Sequence, residues 1–310
     1  MEAGWPKVSI IILNWNSYEV TRDCLASLDK IDYPNREVVL VDNGSVDGSA
    51  DRLAREFPSA RMIRNGKNLG FTGGNNVAIR DVLERGTGYL LLLNNDTVVA
   101  PNFLSELVRV AESDPRIGLL NPKIYYFEPA DTIWYAGGIR KPWRVFPKHL
   151  GLRKRDDGSY NQTREVSFIT GCALLIKAEV VRQIGELDEI FFLTFEDADW
   201  SMRASQAGFK QFYVPASVIW HKDSYVTTRS LGYAGRNFYT MRNTILFARK
   251  YLKGPYWPLF MISVGKYVMY RTVVDLVQGD VKTVRALYHG LWNGCSTRIT
   301  PGPAGMHSSR

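Results

Sequence analysis

The sequence has few cysteines and no long hydrophobic run, and both shortages restrict what the protein can be. Its three cysteines, Cys24, Cys172 and Cys295, are widely spaced and form no C-x-x-C pair. This usage is typical of a reducing compartment and speaks against a disulfide framework or a zinc site. The first apolar run, residues 8–13, is only long enough for a strand. We therefore expect neither a signal peptide nor a membrane-spanning segment.

Two common nucleotide-binding motifs are also absent. A dinucleotide site needs G-x-G-x-x-G after the first strand, and a P-loop needs G-x-x-x-x-G-K-[ST]. The sequence contains neither. Its length of 310 residues suits one large α/β domain with an appendage, or two modest domains. Apolar content of 45% is that of an ordinary globular protein.

Strand and helix signals alternate over the first 120 residues. Apolar runs predict strands at 8–13, 37–41, 61–64 and 89–93, and periodic patterns predict helices at 18–28, 50–57, 75–85 and 101–113. This βαβα order predicts a mostly parallel sheet with helices on both faces. The second half is more mixed, with strands expected at 173–176, 212–214 and 217–220 and helices at 178–184 and 197–207.

Positive charge is concentrated near the C-terminus. Residues 1–225 contain 27 Lys/Arg and 29 Asp/Glu, whereas residues 226–295 contain 10 Lys/Arg and two acids. The latter stretch also repeats apolar residues at helical spacing and includes an aromatic, apolar segment at 255–264. Amphipathic, cation-rich segments with Trp and Tyr bind anionic membrane surfaces. We expect residues 226–295 to be a basic helical region of this kind; packing on the rest of the protein or a dimer interface stays open.

The remaining charge patterns are less informative. Residues 296–310 are expected to form a disordered tail. No recognised nucleic-acid motif accompanies the basic region, so we expect no nucleic-acid partner. Residues 140–155 contain seven Lys/Arg. That run is either a lid or acceptor-facing loop over a site, or an ordinary solvated loop.

Polar side chains directly follow three of the predicted strands. Asn14 and Asn16 follow the first strand, Asp42 follows the second, and residues 94–96 (N-N-D) follow the strand at 89–93. Open α/β sheets bind ligands beyond the carboxyl ends of their strands. We therefore expect these groups to converge at one edge. Simpler roles stay open, because Asp42 could cap the turn D-N-G-S and the N-N-D run could cap a strand.

Five motifs in one order carry a family resemblance. They are V-S-I-I-I-L-N-W-N, V-V-L-V-D-N-G-S, N-L-G-F-T-G-G-N-N, L-L-L-N-N-D and F-E-D-A-D-W. This order resembles the inverting family 2 glycosyltransferases with a GT-A fold, and especially the bacterial rhamnosyltransferases and related galactofuranosyltransferases, over residues 7–250. The resemblance implies a catalytic GT-A domain at 1–225. It also implies transfer of a sugar, with inversion, from a dTDP- or UDP-linked donor to a glycan or lipid-linked acceptor.

The resemblance implies donor-binding roles for several positions. Asp42 would bond the nucleotide base, and Asn14 and Asn16 would shape its pocket. The segment N-L-G-F-T-G-G-N-N would pack beside the nucleotide, where glycine lets the backbone approach closely. The remaining implied donor-binding residues are Asn68, Gly70, Gly74, Asn75 and Asn95. Without the resemblance, this glycine-rich segment could equally be an ordinary strand-to-helix turn.

A metal site is implied where the N-N-D run stands in place of the family's D-x-D motif. Mg²⁺ or Mn²⁺ bound there would neutralise charge that develops on the departing diphosphate. Asp96 can supply one carboxylate. Asn94 replaces the first acid, which puts metal affinity in doubt. The related transferases place a metal-binding histidine after a late strand, and His221 matches this position; a purely structural histidine is the alternative.

The general base is implied by F-E-D-A-D-W. Asp197 would accept the proton of the acceptor hydroxyl as it attacks C1 of the donor, and Glu196 would orient Asp197 or contact the acceptor. The dipole at the start of the helix predicted at 197–207 favours an ionised carboxylate there. Acids are nevertheless common in first helical turns, so their position alone does not decide their role.

Two rival functions can be weighed against this interpretation. A non-catalytic protein of the same fold would bind nucleotide sugars without turnover. A sugar nucleotidylyltransferase would carry G-x-G-[ST]-R after the first strand, where this sequence has N-W-N-S-Y. The absence of a predicted span, together with a lipid-linked acceptor, predicts a cytoplasmic protein bound peripherally to the cytoplasmic face of the membrane. The sequence does not predict which sugar is transferred or the oligomeric state.

Overall fold

The computed structural model describes residues 4–222 and 225–299. Its first elements are β1 (Val8–Asn14), α1 (Tyr18–Leu28), β2 (Arg36–Asp42), α2 (Ser49–Glu56), β3 (Arg61–Arg64), α3 (Gly70–Glu84), β4 (Tyr89–Asn94), β5 (Thr97–Val99), α4 (Phe103–Ala111) and β6 (Ile117–Tyr126). Next come β7 (Ile133–Tyr135), β8 (Gly138–Ile139), β9 (Lys148–His149), β10 (Arg164–Glu165), β11 (Ala173–Lys177), α5 (Ala178–Ile184), α6 (Glu196–Gln206) and β12 (Lys210–His221). The helices α7 (Tyr225–Tyr251), α8 (Trp257–Val277) and α9 (Val281–Ser296) follow.

The large sheet has the order β10-β12-β6-β11-β4-β1-β2-β3. Strand β1 pairs in parallel with β2 and β4, while β11 is antiparallel to both β4 and β6. The predicted α/β fold is therefore confirmed, with a mixed sheet in which only β1–β4 and the pair β6–β12 are parallel. Its two faces are covered separately, because Ile10 and Ile12 of β1 belong to one buried cluster and Ile11 to the other. The register sets Asn14 opposite Asp42, so the polar strand ends lie side by side.

The predicted secondary structure is wrong in three details. Most of the glycine-rich segment is helix, because α3 begins at Gly70, five residues before the predicted start. The strands predicted at 212–214 and 217–220 form the single strand β12, with an irregularity between Val214 and Val218. Strand β6 was not predicted. Its apolar run is broken by Asn121, which is buried because its side chain bonds the backbone carbonyls of Thr170 and Ala173.

The C-terminal helices form a packed unit. Helix α7 is kinked at Gly232 and packs extensively against α9. The apolar residues of α7 recognised from the sequence are mostly buried; Met241, Ile245 and Ala248 pack with Phe260 of α8. The apolar side of α7 therefore packs on the other C-terminal helices. No helix within residues 4–222 and 225–299 is long and apolar enough to cross a membrane. Residues 300–310, most of the predicted tail, lie outside the described residues.

Candidate active site

A cavity of about 470 Å³ lies where the ends of β1 and β4 meet the start of α6. This volume suits a small organic ligand. Nine residues singled out from the sequence line it: Asn68, Gly70, Asn75, Asn94, Asn95, Asp96, Glu196, Asp197 and His221. The fold therefore places residues predicted to bind the donor, to bind a metal and to act as the base around the same cavity.

The other predicted donor-binding residues lie beside the cavity and not in its lining. Asn14 is fully buried; its Nδ2 donates to Ser49 Oγ at 3.0 Å and, more weakly, to Asp42 Oδ1 at 3.4 Å. Asp42 Oδ2 accepts from the Ser45 amide at 3.2 Å. Asn16 has a positive φ of 50°, and its Oδ1 accepts a hydrogen bond from the Val46 amide at 2.9 Å. These bonds shape the turn D-N-G-S, so the capping role is present for Asp42.

Asn43 organises the junction between β2 and α3, a role that the sequence did not reveal. Its Nδ2 donates to Asn68 Oδ1 and to the Gly70 carbonyl, both at 3.0 Å. Gly70 has a φ of +74°, and a Cβ there would lie 2.5 Å from the ring of Phe192. At Gly74 a Cβ would lie 2.7 Å from a methyl group of β1. Gly74 therefore lets α3 approach β1, and Gly70 lets the start of α3 approach Phe192 of the loop before α6.

Two further asparagines support the backbone near the cavity. Asn75 Nδ2 donates to the Phe71 carbonyl at 2.8 Å, one turn earlier in α3. Asn95 Nδ2 donates to Thr21 Oγ1 at 2.7 Å, which ties the end of β4 to α1. Each side-chain amide therefore has a structural partner, and Asn75 and Asn95 still line the cavity.

Asp96 and His221 are brought together by the short strand β5. Thr97 of β5 pairs with His221 of β12, although the two lie far apart in sequence. His221 Nε2 then lies 3.1 Å from Asp96 Oδ1, and both side chains are buried. Burial alone lowers the pKa of His221, but the electrostatic interactions with Cys172 and Asp96 outweigh it and raise that pKa well above its usual value.

Asp96 and His221 could bind a cation whose remaining ligands come from the substrate, but they do not form a complete metal site by themselves. A carboxylate and an imidazole are both suitable ligands for Mn²⁺, and Mg²⁺ commonly uses one or two carboxylates plus substrate phosphate oxygens. Within the described part of the chain, no group of three or more His, Cys, Asp or Glu side chains is placed to hold a metal. Asn94, an amide at the place of an acid, is consistent with this small ligand set.

The two acids at the start of α6 have different environments. Asp197 Oδ2 accepts from the Gly171 amide at 2.9 Å, and its Oδ1 accepts from the Ala198 amide at 2.7 Å. Burial raises the pKa of Asp197 to about 6 despite these bonds. Burial and the neighbouring Asp197 raise the pKa of Glu196 well above its usual value. Burial therefore disfavours the ionised form of both acids, and Glu196 carries the additional repulsion of the neighbouring Asp197.

The loop before α6 has a strained backbone that a single amide holds. Phe192, Thr194 and Phe195 all have positive φ, a conformation that costs about 1–3 kcal/mol at a non-glycine residue. Asn243 of α7 donates from Nδ2 to the carbonyls of residues 191, 193 and 194, at 2.8, 2.7 and 2.9 Å. Asn243 itself is fully buried. Helix α7 therefore fixes the turn that delivers Asp197 to the cavity.

If Asp197 acts as a base, we expect Asn243→Leu to lower kcat by about 10-fold or more, because a displaced loop moves Asp197. The substitution keeps side-chain size and removes the donor to three buried carbonyls, which costs about 1–3 kcal/mol of stability. Steady-state kinetics and thermal unfolding would measure both effects. Gln206→Leu, which removes an exposed amide at the end of α6, is the matched control. An unchanged kcat in folded Asn243→Leu would show that the loop does not need this clamp.

Aromatic side chains that the sequence did not single out form one wall of the cavity. Trp134, His149 and Phe168 come from the segment between β6 and β11, and His149 packs edge-on against Trp134 with ring centroids 4.8 Å apart. Phe192 stacks on Tyr239 of α7 at 4.9 Å. This segment has only two- and three-residue strands, so its periodicity carried no signal. Of the basic run at 140–155, Phe146, Pro147 and His149 line the cavity.

Comparison with known proteins agrees with this geometry. A model of the glycosyltransferase-like family 2 matches residues 6–238. N-acetylglucosaminyl-diphospho-decaprenol L-rhamnosyltransferase of Mycobacterium tuberculosis H37Rv is 26% identical over 231 residues, which cover 66% of this chain and 72% of that protein. The dTDP-rhamnosyl transferase RfbF of Shigella flexneri is 24% identical over 242 residues, covering 73% and 75%.

A solved structure extends the likeness to the fold. The mannosyltransferase PcManGT from Pyrobaculum calidifontis, in complex with GDP-Man and Mn²⁺, superposes with a TM-score of 0.56 at 17% identity. The match covers 98% of this chain and 79% of that one. With a family model that matches three quarters of its length, the chain belongs to the glycosyltransferase-like family 2, and its fold is of the GT-A type.

Proposed function

We propose that the protein is an inverting hexosyltransferase that transfers rhamnose from a dTDP- or UDP-linked donor to a hydroxyl of a lipid-linked saccharide. The observation that carries this proposal is the single cavity lined by both the Asp96–His221 pair and the ionised Asp197. The names of two relatives support the choice of sugar, because both are rhamnosyltransferases and one is named for a diphospho-decaprenol acceptor.

The donor nucleotide is proposed to bind over the ends of β1 and β2. Asp42 has two carboxylate oxygens near the edge of the sheet, and its neighbours Asn14 and Asn16 hold the turn that shapes this edge. The backbone next to this edge is shaped by the other predicted donor-binding residues, Asn68, Gly70, Gly74, Asn75 and Asn95. Gly74 keeps α3 close to β1, Gly70 keeps it close to Phe192, and Asn68 and Asn95 line the cavity beside them.

The diphosphate is proposed to lie near Asp96 and His221, with Asn94 beside them. Mg²⁺ or Mn²⁺ held by these residues would supply charge neutralisation for the departing diphosphate. Arg236 of α7 also lines the cavity and adds a positive charge to the same space. The neutral amide of Asn94 leaves a smaller negative charge there than a second acid would, so more of the cation's charge is left for the diphosphate.

The acceptor is proposed to approach Asp197. Its hydroxyl proton passes to the Asp197 carboxylate, the oxygen forms a bond to C1, and the bond from C1 to the diphosphate breaks with its electron pair. Attack on the face opposite the leaving group inverts C1. The two backbone amides hold Asp197 in place, and Glu196, whose ionised form is disfavoured by burial, would donate a hydrogen bond to a sugar oxygen.

A panel of nucleotide sugars tests the proposal. The protein would be incubated with Mn²⁺, each donor and a synthetic lipid-linked saccharide, and released nucleoside diphosphate would be measured. The anomeric configuration of the product would be read by NMR. We expect turnover with a rhamnosyl donor and inverted configuration. Retention would overturn the single displacement, and calorimetric donor binding without turnover on any acceptor would favour the non-catalytic alternative.

Removal of the cation is expected to abolish transfer, and added Mn²⁺ or Mg²⁺ is expected to restore it. His221→Gln should raise the Mn²⁺ concentration for half-maximal activity by about 10-fold or more, since one of two protein ligands is lost. Titration of activity with Mn²⁺ after chelation would measure this. His289→Gln, at an exposed position on α9, is the matched control. Full activity in the presence of chelator would contradict a metal-assisted reaction.

A further inference from the structure

Helices α8 and α9 expose a broad apolar surface. On α8 the exposed residues recur every three or four positions, on the side opposite the buried Phe260, Val264 and Val268. On α9 the exposed apolar residues are Val281, Tyr288 and Trp292, whose spacings of seven and four positions place them on one side of the helix. The α8–α9 face consists of Leu259, Ile262, Met269, Tyr270, Val273, Leu276, Val277, Val281, Tyr288 and Trp292.

The exposed apolar sides of α8 and α9 lie next to each other. Thr272 Oγ1 donates to the hydroxyl of Tyr288 at 3.3 Å, which links α8 to α9 beside the exposed residues. Individual side chains are largely accessible, with Met269 65%, Trp292 70% and Val277 82% exposed. A contiguous apolar surface of this kind marks an interaction site, whereas isolated exposed apolar residues do not. The α8–α9 face is therefore a candidate docking surface.

The exposed charges around this face are mostly positive. Lys266 lies within the α8 stripe, and Lys282 and Arg285 lie on α9; all three are exposed and form no ion pair with an acid of the described ranges. The two acids of this region are engaged elsewhere. Asp275 is buried and paired with Arg271 at 2.6 Å, and Asp280 caps α9 by accepting from Thr283. The α8–α9 face therefore attracts anions.

This charge distinguishes the possible occupants of the face. A second copy related by a two-fold axis would set the same cations against one another, which is unfavourable. An anionic bilayer complements them. Trp and Tyr side chains with one polar group are also typical of the membrane interface.

We propose that the α8–α9 face docks the protein on an anionic lipid bilayer, with its apolar side chains in the interfacial layer and its lysines and arginine at the head groups. Docking on the cytoplasmic leaflet would bring the cavity close to a lipid-linked acceptor. This consequence of docking rests on the proposed function. Trp143 lies 6.1 Å from Tyr256, and Phe146 lies 5.1 Å from Tyr267, measured between ring centroids. Because Phe146 also lines the cavity, the basic loop joins α8 to the active site.

Co-sedimentation with vesicles tests the docking in the absence of donor and acceptor. Wild-type protein would be mixed with phosphatidylcholine vesicles with or without phosphatidylglycerol. We expect binding to the anionic vesicles and a loss of about 10-fold or more in affinity for the uncharged triple variant Met269→Ser/Val273→Ser/Trp292→Ser. Lys266→Glu/Lys282→Glu should lose a similar factor, because each basic residue adds about 1 kcal/mol near such a surface. Lys30→Glu/Arg55→Glu carries the same charge change just after α1 and on α2, and it is expected to bind nearly as well as wild type.

The outcomes separate this inference from the proposed function. Equal binding of wild type and the triple variant would overturn the docking, as would binding that ignores lipid charge. A dimer in sedimentation velocity that dissociates in the triple variant, without vesicle binding, would assign the face to a second copy. Turnover on a detergent-dispersed acceptor should survive in the triple variant. If docking holds but no donor is turned over, only the proposed function fails.

Discussion

Asp197→Asn is expected to lower kcat by about 10³-fold and to change the KM for the donor by no more than about two-fold. The amide keeps the size of the side chain and can still accept from Gly171, but it cannot take the proton of the acceptor hydroxyl. General-base catalysis contributes about 10²–10⁴-fold in enzymes, which sets the scale. Initial rates of diphosphate release at saturating acceptor would measure the loss.

The pH profile and the neighbouring acid provide the controls for this variant. Because burial raises the pKa of Asp197 to about 6, its carboxylate is present above that pH and is lost as the pH falls through it. The kcat of the wild type should therefore decline below about pH 6, and the residual activity of Asp197→Asn should lack this limb. Glu196→Gln should lose much less activity, since burial and the neighbouring Asp197 raise the pKa of Glu196 and disfavour its ionised form. A larger loss in Glu196→Gln than in Asp197→Asn would exchange the two roles.

Asp199→Ala is expected to lower the free energy of unfolding by about 3–5 kcal/mol, the usual consequence of stripping the partner from buried charges. The Asp199 carboxylate is fully buried and accepts from Arg203 at 2.8 Å, from Lys250 at 2.6 Å and from the Tyr251 hydroxyl at 2.6 Å. Its loss leaves the buried Arg203 without a carboxylate, whereas Lys250 keeps Asp188 at 2.7 Å. Urea denaturation followed by circular dichroism would measure the change.

The matched control is an acid in an exposed ion pair. Asp131 pairs with Arg155 at 2.7 Å, with half or more of each side chain accessible. Exposed pairs contribute about 0–1 kcal/mol, so Asp131→Ala should unfold almost like the wild type. Similar midpoints for Asp199→Ala and Asp131→Ala would show that Asp199 does not hold α6 against α7.

The sheet and its polar edge could be predicted because their signals are local. Apolar runs long enough for strands alternate with helical periodicity, and polar residues follow them directly, as at Asn14, Asp42 and Asp96. His221 illustrates the limit of this approach. Nothing near it in sequence indicates Asp96, and only the resemblance joined the two before the pairing of β5 with β12 explained how they meet.

The remaining features depend on contacts between distant segments. The loop before α6 adopts positive φ at Phe192, Thr194 and Phe195 without any glycine, so the sequence gives no turn signal. Its conformation is held by Asn243, some fifty residues later. The apolar periodicity of α7 was correctly recognised, but periodicity does not tell whether an apolar side meets protein or lipid. In the structure that side meets α8 and α9, and the exposed apolar surface lies on those two helices.

The separation of Asp96 from His221 also bears on when the active centre forms. The two residues lie 125 positions apart, and the clamp on the base loop comes later still, at Asn243. On the ribosome, the nucleotide edge from β1 to β4 can be synthesised and paired well before either arrives. A nascent chain that ends before β12 thus has the polar strand ends without the histidine, and one that ends before Asn243 has the base without its support. Under the proposed function, catalytic competence would therefore be acquired late in biosynthesis.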